Sequence, residues 1–388
     1  MKILLPTGKK MRTDGPAVHV HSTCGGMHGG SKPPPYVICD IFAFLGCIQT
    51  GSNTKENEVM GLKRLLLLLV LALFLLGCEA EETQPVPQYV LTYAENQPDG
   101  YSTVQGARRF ADLVREATGG EVVIQIKYDG EYGSEAEVLE QMAFGGIDFA
   151  RVSLAELSDE IPKLNVLQLP FLYEDADHMW RILDGEIGEE FLTVFDEAGL
   201  VGLSWYDAGA RCFYTNAHPI RTPADMAGLT VRVQGSQLVM DMVTLLGAEP
   251  VTFPYGDVNY AFEMKMIDAA ENNWPAYGIL EHYRLAKYYT VDQHSRVPEV
   301  QLASSRTWDQ LPEEYRQIIA QCARESALYQ RELWREQEKQ YRADAIAAGA
   351  VEIVLTADER ALFRQAVQPL YEKYCADYMD LIDQIRNG

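Results

Sequence analysis

From Tyr89 onward the sequence alternates short apolar, β-branched runs with longer stretches of helical period, and this constrains the fold more than any other feature. Tyr89-Val90-Leu91-Thr92-Tyr93 predicts a strand. Residues 101–117 predict an amphipathic helix with Phe110, Leu113 and Val114 on one side, ended by Gly119-Gly120. Val122 to Tyr128 reads as a strand, 135–144 as a helix, Ile147 to Val152 as a strand, and Leu167 to Phe171 as a short buried segment. Helices at 175–184 and 187–198 lead to a strand from Val201 to Tyr206. Such a βα repeat buries both faces of a mostly parallel sheet under helices, which places the chain in the α/β class.

A second βα set begins near Arg211. Its predicted strands are Cys212 to Thr215, Thr230 to Val233 and Ile267 to Ala270, with helices at 236–246, 256–264 and 275–286. Glu299 to Ser304 comes next as a strand. Pro312 opens a stretch without Gly or Pro until Gly349, far longer than an ordinary globular helix, so it predicts an element spanning two lobes. A strand from Val351 to Leu355 and a helix from Thr356 complete the chain. The expected architecture is two α/β lobes, residues 89–208 with 298–337 and residues 209–297 with 338–388. Ligands bind beyond the carboxyl ends of strands in open α/β sheets, and between two lobes that edge becomes a cleft.

Residues 1–88 differ in kind. Leu62-Lys63-Arg64 and the apolar run Leu65 to Leu76 have the length of a signal-peptide core, short for a transmembrane helix. The run ends Leu75-Leu76-Gly77-Cys78 and turns acidic. A small residue before Cys in that setting resembles a bacterial lipoprotein signal, with Cys78 carrying the lipid; a plain membrane anchor or a cleaved secretory signal is the other reading. Residues 60–77 are then the signal and 78–88 a tether. A signal has to emerge first, so Met60 is the expected start and residues 1–59 a gene-model extension, against the rival of a genuine extension. His19, His21, Cys24 and His28 lack the second cluster that a metal site needs.

The chain holds 33 Lys+Arg against 56 Asp+Glu, a net of −23, which argues against a nucleic-acid partner. Eight basic and four acidic residues precede Cys78, so the chain beyond it is more acidic still: 25 basic against 52 acidic, net −27. Only Cys212, Cys322 and Cys375 remain there, which is no disulfide framework. No serine-hydrolase elbow, zinc-protease helix, phosphate loop or dinucleotide fingerprint occurs, so neither an enzyme nor a cofactor is expected.

What stands out is the placement of arginines. Arg151 ends a strand, Arg232 lies inside apolar Leu229-Thr230-Val231-Arg232-Val233, and Arg211 opens a strand after Gly209-Ala210. An Arg there is expensive unless it meets an anion, either a structural carboxylate or a ligand. Three at the lobe edges point to an anion site, where a guanidinium grips a carboxylate at two points. Glu271-Asn272-Asn273-Trp274-Pro275 is the second feature. Its amides and indole suit a polyhydroxylated ligand, and Asn273 also reads as the N-cap of the next helix.

These residues resemble the extracytoplasmic solute receptors of tripartite ATP-independent periplasmic (TRAP) transporters, the DctP-like group, from about Tyr89 to the C-terminus. The resemblance rests on an ordered set: Leu169-Pro170-Phe171-Leu172, Leu183-Asp184-Gly185-Glu186-Ile187-Gly188, the segment from Pro219-Ile220 through Thr222-Pro223, Asp225-Met226 and Gly228-Leu229 to Val231-Arg232-Val233, Leu246-Gly247-Ala248 with Pro250, Ile267-Asp268 with Glu271-Asn272, and Trp308 with Leu311-Pro312. It implies a two-lobed periplasmic binding protein-like fold (type II-like), joined by crossing strands and a long helix, that closes on a carboxylate ligand. It implies that Arg232 pairs with that carboxylate, supported by Arg211, and that Asn272, Asn96 and Tyr255 contact the ligand, with Glu135 and Ser153 as polar positions of the first lobe. Ala269 and Asn273 depart from the family's usual Gly and Pro. Asn273-Trp274-Pro275-Ala276-Tyr277 and Val233-Gln234-Gly235-Ser236 look closest to the uronate-binding branch.

On that reading the spare donors of Arg151 serve ring oxygens, and Gln234, Ser236, Glu271 and Trp274 meet hydroxyls and the ring. His294 and Glu299 are hinge or structural residues. The expected function is delivery of a hexuronate or related sugar acid to a TRAP permease by a receptor held at the membrane through a lipid anchor. The alternatives are a receptor for C4-dicarboxylates or other organic acids, a receptor for an ATP-driven transporter, a ligand-sensing protein, and a secreted carbohydrate-acid enzyme.

Overall fold

The first sheet starts with β1 (Tyr89–Ala94), whose alternate residues Leu91 and Tyr93 face the core while Val90 stays exposed. β1 pairs in parallel with β2 (Val122–Lys127) and with β3 (Phe149–Ser153), which is buried throughout. Between them lie helices α1 (Ser102–Ala117) and α2 (Glu135–Phe144). Ser134 and Glu137 cap α2 reciprocally, and Gly145 stops it in the left-handed conformation. The short α3 (Asn165–Gln168), α4 (Ala176–Leu183) and α5 (Glu186–Leu192) lead to β4 (Leu200–Tyr206). The sheet order is β2-β1-β3-β10-β4, where β10 (Glu299–Ser304) returns late in the chain, antiparallel to both neighbours. This computed structural model describes residues 86–388 and, before them, only Leu67. The expectations for residues 1–59, for the rest of the signal segment 60–77 and for Cys78 fall outside the described residues.

The second sheet has the order β11-β9-β5-β8-β6-β7. Its strands are β5 (Cys212–Thr215), β6 (Thr230–Val233), β7 (Glu249–Thr252), β8 (Ala269–Asn272), β9 (Tyr288–Val291) and β11 (Val351–Val354). Helices α6 (Gln237–Leu245), α7 (Val258–Glu263) and α8 (Trp274–Ile279) connect them. After β10 come α9 (Ser305–Gln310) and α10 (Glu313–Ala347), then α11 (Ala357–Val367), α12 (Pro369–Cys375) and α13 (Met379–Asn387).

Three passages join the sheets. Residues 207–211 lead from β4 to β5, and 292–298 lead from β9 back to β10. Arg211 and Ser295 pair across these two crossings in an isolated antiparallel bridge. The third passage is α10, whose 35 residues cover about 52 Å at 1.5 Å per residue. It packs on α1 and β4 at one end and on α8 towards the other. Residues 86–388 lie in one compact unit. No helix among the described residues is long and apolar enough to cross a membrane.

The structure corrects several expectations. The strand predicted at 267–270 is β8, two residues later, so Glu271 and Asn272 lie within the ladder opposite Phe213 and Cys212. A strand can carry Glu271 there because Arg211 neutralises it. The helix predicted at 275–286 ends at Ile279, and Glu281 takes a left-handed conformation (φ 52°) that breaks the period. The helix predicted at 187–198 stops at Leu192 and continues as a 3-10 turn to Ala198. β7 and β9 were not expected. β7 contains Pro250, which an edge strand tolerates because one side of it makes no ladder bonds. The terminal helix is three helices: the first break falls at Pro369, which has no backbone donor, and the second is a 3-10 turn at Ala376–Tyr378.

Candidate functional site

A cavity of about 650 Å3 lies between the two sheets. Its lining comes from strand ends and the segments just beyond them: Asn96 and Gln97 after β1, Arg151 in β3, Arg232 and Gln234 at the end of β6, and Asn272 at the end of β8. Arg211 joins them because β5 runs antiparallel to β8, which sets its first residue Cys212 opposite Asn272. Glu299 joins them by the same logic, since β10 begins opposite Ser153 and Tyr206.

Arg232 sits on β6 between β8 and the edge strand β7, in register with Ala270 and Val251, and is 3% exposed. Its Nε and Nη2 donate to the Phe253 carbonyl at 2.9 and 2.7 Å. Among the described residues it forms no ion pair, and Glu271 and Glu156 act on it only from a distance. Burial therefore pulls its pKa below the usual arginine value. A buried guanidinium with uncommitted N–H groups, bordering a cavity, can receive an anion at two points.

Arg211 is engaged differently. Its Nε and Nη2 grip both carboxylate oxygens of Glu271, and Nη2 also donates to the Glu271 carbonyl at 3.0 Å. Nη1 reaches Asn272 Oδ1 at 3.3 Å. Burial alone would lower the pKa of Arg211, but the charge of Glu271 and the bonds to it raise it. The same pairing, with His294, holds Glu271 down to about 2 against the effect of burial. His294 Nδ1 lies 2.7 Å from Asp292, and although burial disfavours its charge, Asp292 and Glu271 bring its pKa up to about 9.

Arg151 meets three carboxylates. Nε and Nη2 donate to Glu95, Nη1 donates to Glu135 at 2.6 Å and to Glu299 at 2.8 Å, and Nη2 also reaches Asn96 Oδ1. Every N–H of this guanidinium is committed. The expectation that its spare donors serve a ligand is thus overtaken by geometry: Arg151 holds the acids that border the cavity. Burial first, then Glu299 and Glu156, push the Glu135 carboxyl up to about 8 against the pull of Arg151.

Of the residues singled out from sequence, the structure brings Asn96, Glu135, Arg151, Arg211, Arg232, Gln234, Tyr255 and Asn272 to the cavity wall. Ser153, Ser236, Glu271 and Trp274 lie behind it. The Ser153 amide donates to Glu135 at 3.2 Å, Ser236 caps α6, and Glu271 holds Arg211. Trp274 stacks on Tyr289 at 3.7 Å within the core of the second lobe. The indole that lines the cavity is instead Trp334 of α10. Asn273 does cap α8, accepting from the Ala276 amide at 2.8 Å, and it holds the Ala208 carbonyl at 3.0 Å. Sequence reasoning passed over Glu95, Gln97, Tyr101 and Thr103. The polar run Glu95-Asn96-Gln97 directly after a strand was the available signal, the same one that marked Asn272.

Several polar atoms of this lining are buried and have no hydrogen-bond partner: Gln97 Oε1, Thr103 Oγ1, Gln234 Oε1, Tyr255 Oη and Trp334 Nε1. Unpartnered buried polar groups cost roughly 1–3 kcal/mol each, so their gathering at one cavity suits a ligand rich in hydroxyls.

Comparison with known proteins agrees with this geometry. The family model described as DctP, bacterial extracellular solute-binding protein, family 7, matches residues 93–377. A protein of Chromohalobacter salexigens described as a solute-binding protein is 34% identical over 284 residues, 73% of this chain and 84% of that one. A TRAP periplasmic solute-binding protein of a Bradyrhizobium species, solved in complex with α/β-D-galacturonate, superposes with a TM-score of 0.75 at 36% identity over 77% of this chain and 99% of that one. Another, from Pseudomonas putida F1 with bound D-glucuronate, gives 0.74 at 34% identity over 76% and 96%.

Proposed function

This chain belongs to the DctP family of bacterial extracellular solute-binding proteins, family 7, and from that premise we propose that it captures a hexuronate, D-galacturonate or D-glucuronate, and delivers it to a TRAP permease. The observation that carries the proposal is Arg232, buried at the cavity with N–H groups uncommitted and no acid paired to it among the described residues. The ligand carboxylate docks on Arg232, with the remaining Arg211 donor and the Asn272 amide beside it. The unpartnered atoms of Gln97, Thr103, Gln234, Tyr255 and Trp334 take the hydroxyls and ring edge. The uronate complexes of the two structural neighbours support the ligand class.

The mechanism is binding by closure. Residues 89–208 with 298–337 form one lobe and 209–297 with 338–388 the other. They rotate about the crossings at 207–211 and 292–298 and about α10, while the C-terminal helices touch both: Tyr371 donates to the Pro170 carbonyl of the first lobe and Tyr374 to the Asp241 carboxylate of the second. Closure is favoured by contacts that exist only in the closed state, and it expels water from the Arg232 pair. The protein works outside the cytoplasm. The motif ending at Gly77-Cys78 supports export and a lipid on Cys78, which mass spectrometry of the native N-terminus checks: a diacylglyceryl-modified Cys78 is expected, and unmodified peptides spanning residues 70–85 would count against it.

Titration calorimetry with both hexuronates tests the function. Binding of either, with the sugar acid recovered unchanged, is the expected result. Turnover of the ligand favours a carbohydrate-acid enzyme, and binding of succinate alone favours a dicarboxylate receptor.

A further inference from the structure

The cavity is electrically divided. On the second sheet stands Arg232, without an acid partner among the described residues. On the first sheet, Glu95, Glu135 and Glu299 share one guanidinium, Arg151, whose N–H groups are all taken. Glu135 and Glu299 both border the cavity. A carboxylate keeps lone pairs after accepting one bond from Arg151, and the groups that best use them are hydroxyl donors. A second carboxylate has no hydrogen to give and finds no free cation on that side among the described residues.

Resting on the reading of this site as a sugar-acid receptor, we infer that Glu135 and Glu299 determine its specificity, accepting the hydroxyls of a monocarboxylate and rejecting any ligand that brings a second carboxylate to the first-sheet wall. The acids do not stand alone in this. Thr103, 2% exposed, and Trp334, 1% exposed, border the same cavity with Oγ1 and Nε1 unpartnered. Those groups call for neutral, hydrogen-bonding atoms of a ligand. Three carboxyls meet one guanidinium, and burial together with their mutual repulsion pushes the pKa values of Glu135 and Glu299 up against the pull of Arg151, so this wall resists further negative charge. Discrimination of this kind comes from the repulsive element as much as from the attractive one.

The test compares D-galacturonate with galactarate, which carries a second carboxylate, and with the monomethyl ester of galactarate, which keeps the carbon chain and removes one charge. Calorimetry of the purified protein should show galacturonate binding at least about 100-fold more tightly than galactarate, and the ester regaining at least about 10-fold over the diacid. Glu135→Gln and Glu299→Gln should each shrink the galacturonate-to-galactarate ratio by at least about 10-fold, with folding verified by melting. Galactarate binding within about 3-fold of galacturonate, an ester no better than the diacid, or a folded variant with the wild-type ratio overturns the inference. The ester comparison decides it even if the variants fail to fold. Loss of galacturonate binding itself in the wild-type protein strikes the proposed function instead, and is read separately from the ratio.

Discussion

Two arginines in apolar strands look alike in sequence and do opposite things. Arg232 is held by a backbone carbonyl and offers its remaining donors to the cavity, whereas Arg151 is consumed by acids from 16, 56 and 148 positions away. Removing one member of a buried charged pair costs about 2–5 kcal/mol, so Arg232→Ala is expected to abolish measurable hexuronate binding in calorimetry. Arg232→Lys should bind weakly too, because a point charge replaces the two-pronged fork; near-normal affinity in either variant would refute the site. His294 provides a pH signature. Its imidazole titrates near 6.5 in an unfolded chain and near 9 in the fold, so the folded state binds more protons between those values. The stability this gives is complete below about 6.5 and lost as pH rises through 9, up to about 3 kcal/mol. Glu135, raised from 4.5 to about 8, acts with the same sign in a lower window. Calorimetric melting should therefore show Tm falling from pH 7 to 9.5. His294→Gln should flatten that fall, and an unchanged slope would remove His294 as its source.

At the scale of elements, the recurring motifs acquire physical reasons. In Leu183-Asp184-Gly185-Glu186-Ile187-Gly188, a Cβ on Gly188 would lie 1.9 Å from the Leu183 carbonyl oxygen, a backbone atom that cannot yield. Gly188 is what lets α5 start against the end of α4. Gly188→Ala should lower stability by about 1–3 kcal/mol, several degrees in Tm, with ligand affinity preserved among the molecules that remain folded. An unchanged Tm would mean that the turn between α4 and α5 relaxes freely. Two of the boundaries that sequence misplaced sit where a tertiary partner or a single backbone torsion overrides periodicity. β8 extends to Asn272 because β5 and Arg211 receive it, and α8 stops early because Glu281 turns left-handed. The long helix was legible because no Gly or Pro interrupts it, and its buried face keeps helical spacing from Ile319 through Cys322, Ala323, Ser326 and Gln330 to Trp334.

For the whole molecule, a net charge of −23, and of −27 over the residues beyond Cys78, sets the long-range field. An anionic ligand is repelled at a distance and welcomed only within reach of Arg232 and Arg211. Salt screens the first effect over a Debye length of about 10 Å at 0.1 M and leaves the buried contact nearly untouched. Stopped-flow association should accordingly speed up as ionic strength rises from a few mM towards 0.15 M, with little change in the dissociation rate; a rate that falls with salt would show that the cavity arginines dominate the outer field. Saturating ligand should also raise Tm, since about 100 times Kd contributes roughly 2.7 kcal/mol to the closed form.

Sequence by itself determined the α/β class, the succession of two βα sets, the spanning helix and the anion-binding character of the chain. Each of these comes from local period, from turn residues, or from the cost of an arginine among apolar neighbours. Only the tertiary structure decided which arginine is free. The acids that claim Arg151 arrive from the residue after β1, from α2 and from β10, and nothing near Arg151 in the chain announces them. The same holds for the aromatic wall: Trp274 comes after a strand and its amides yet stacks on Tyr289 in the core, while Trp334, in the middle of a charged helix, lines the cavity because α10 crosses behind both sheets. Local pattern fixes what a segment becomes, but the partner of a buried charge is set by packing between residues far apart in the chain.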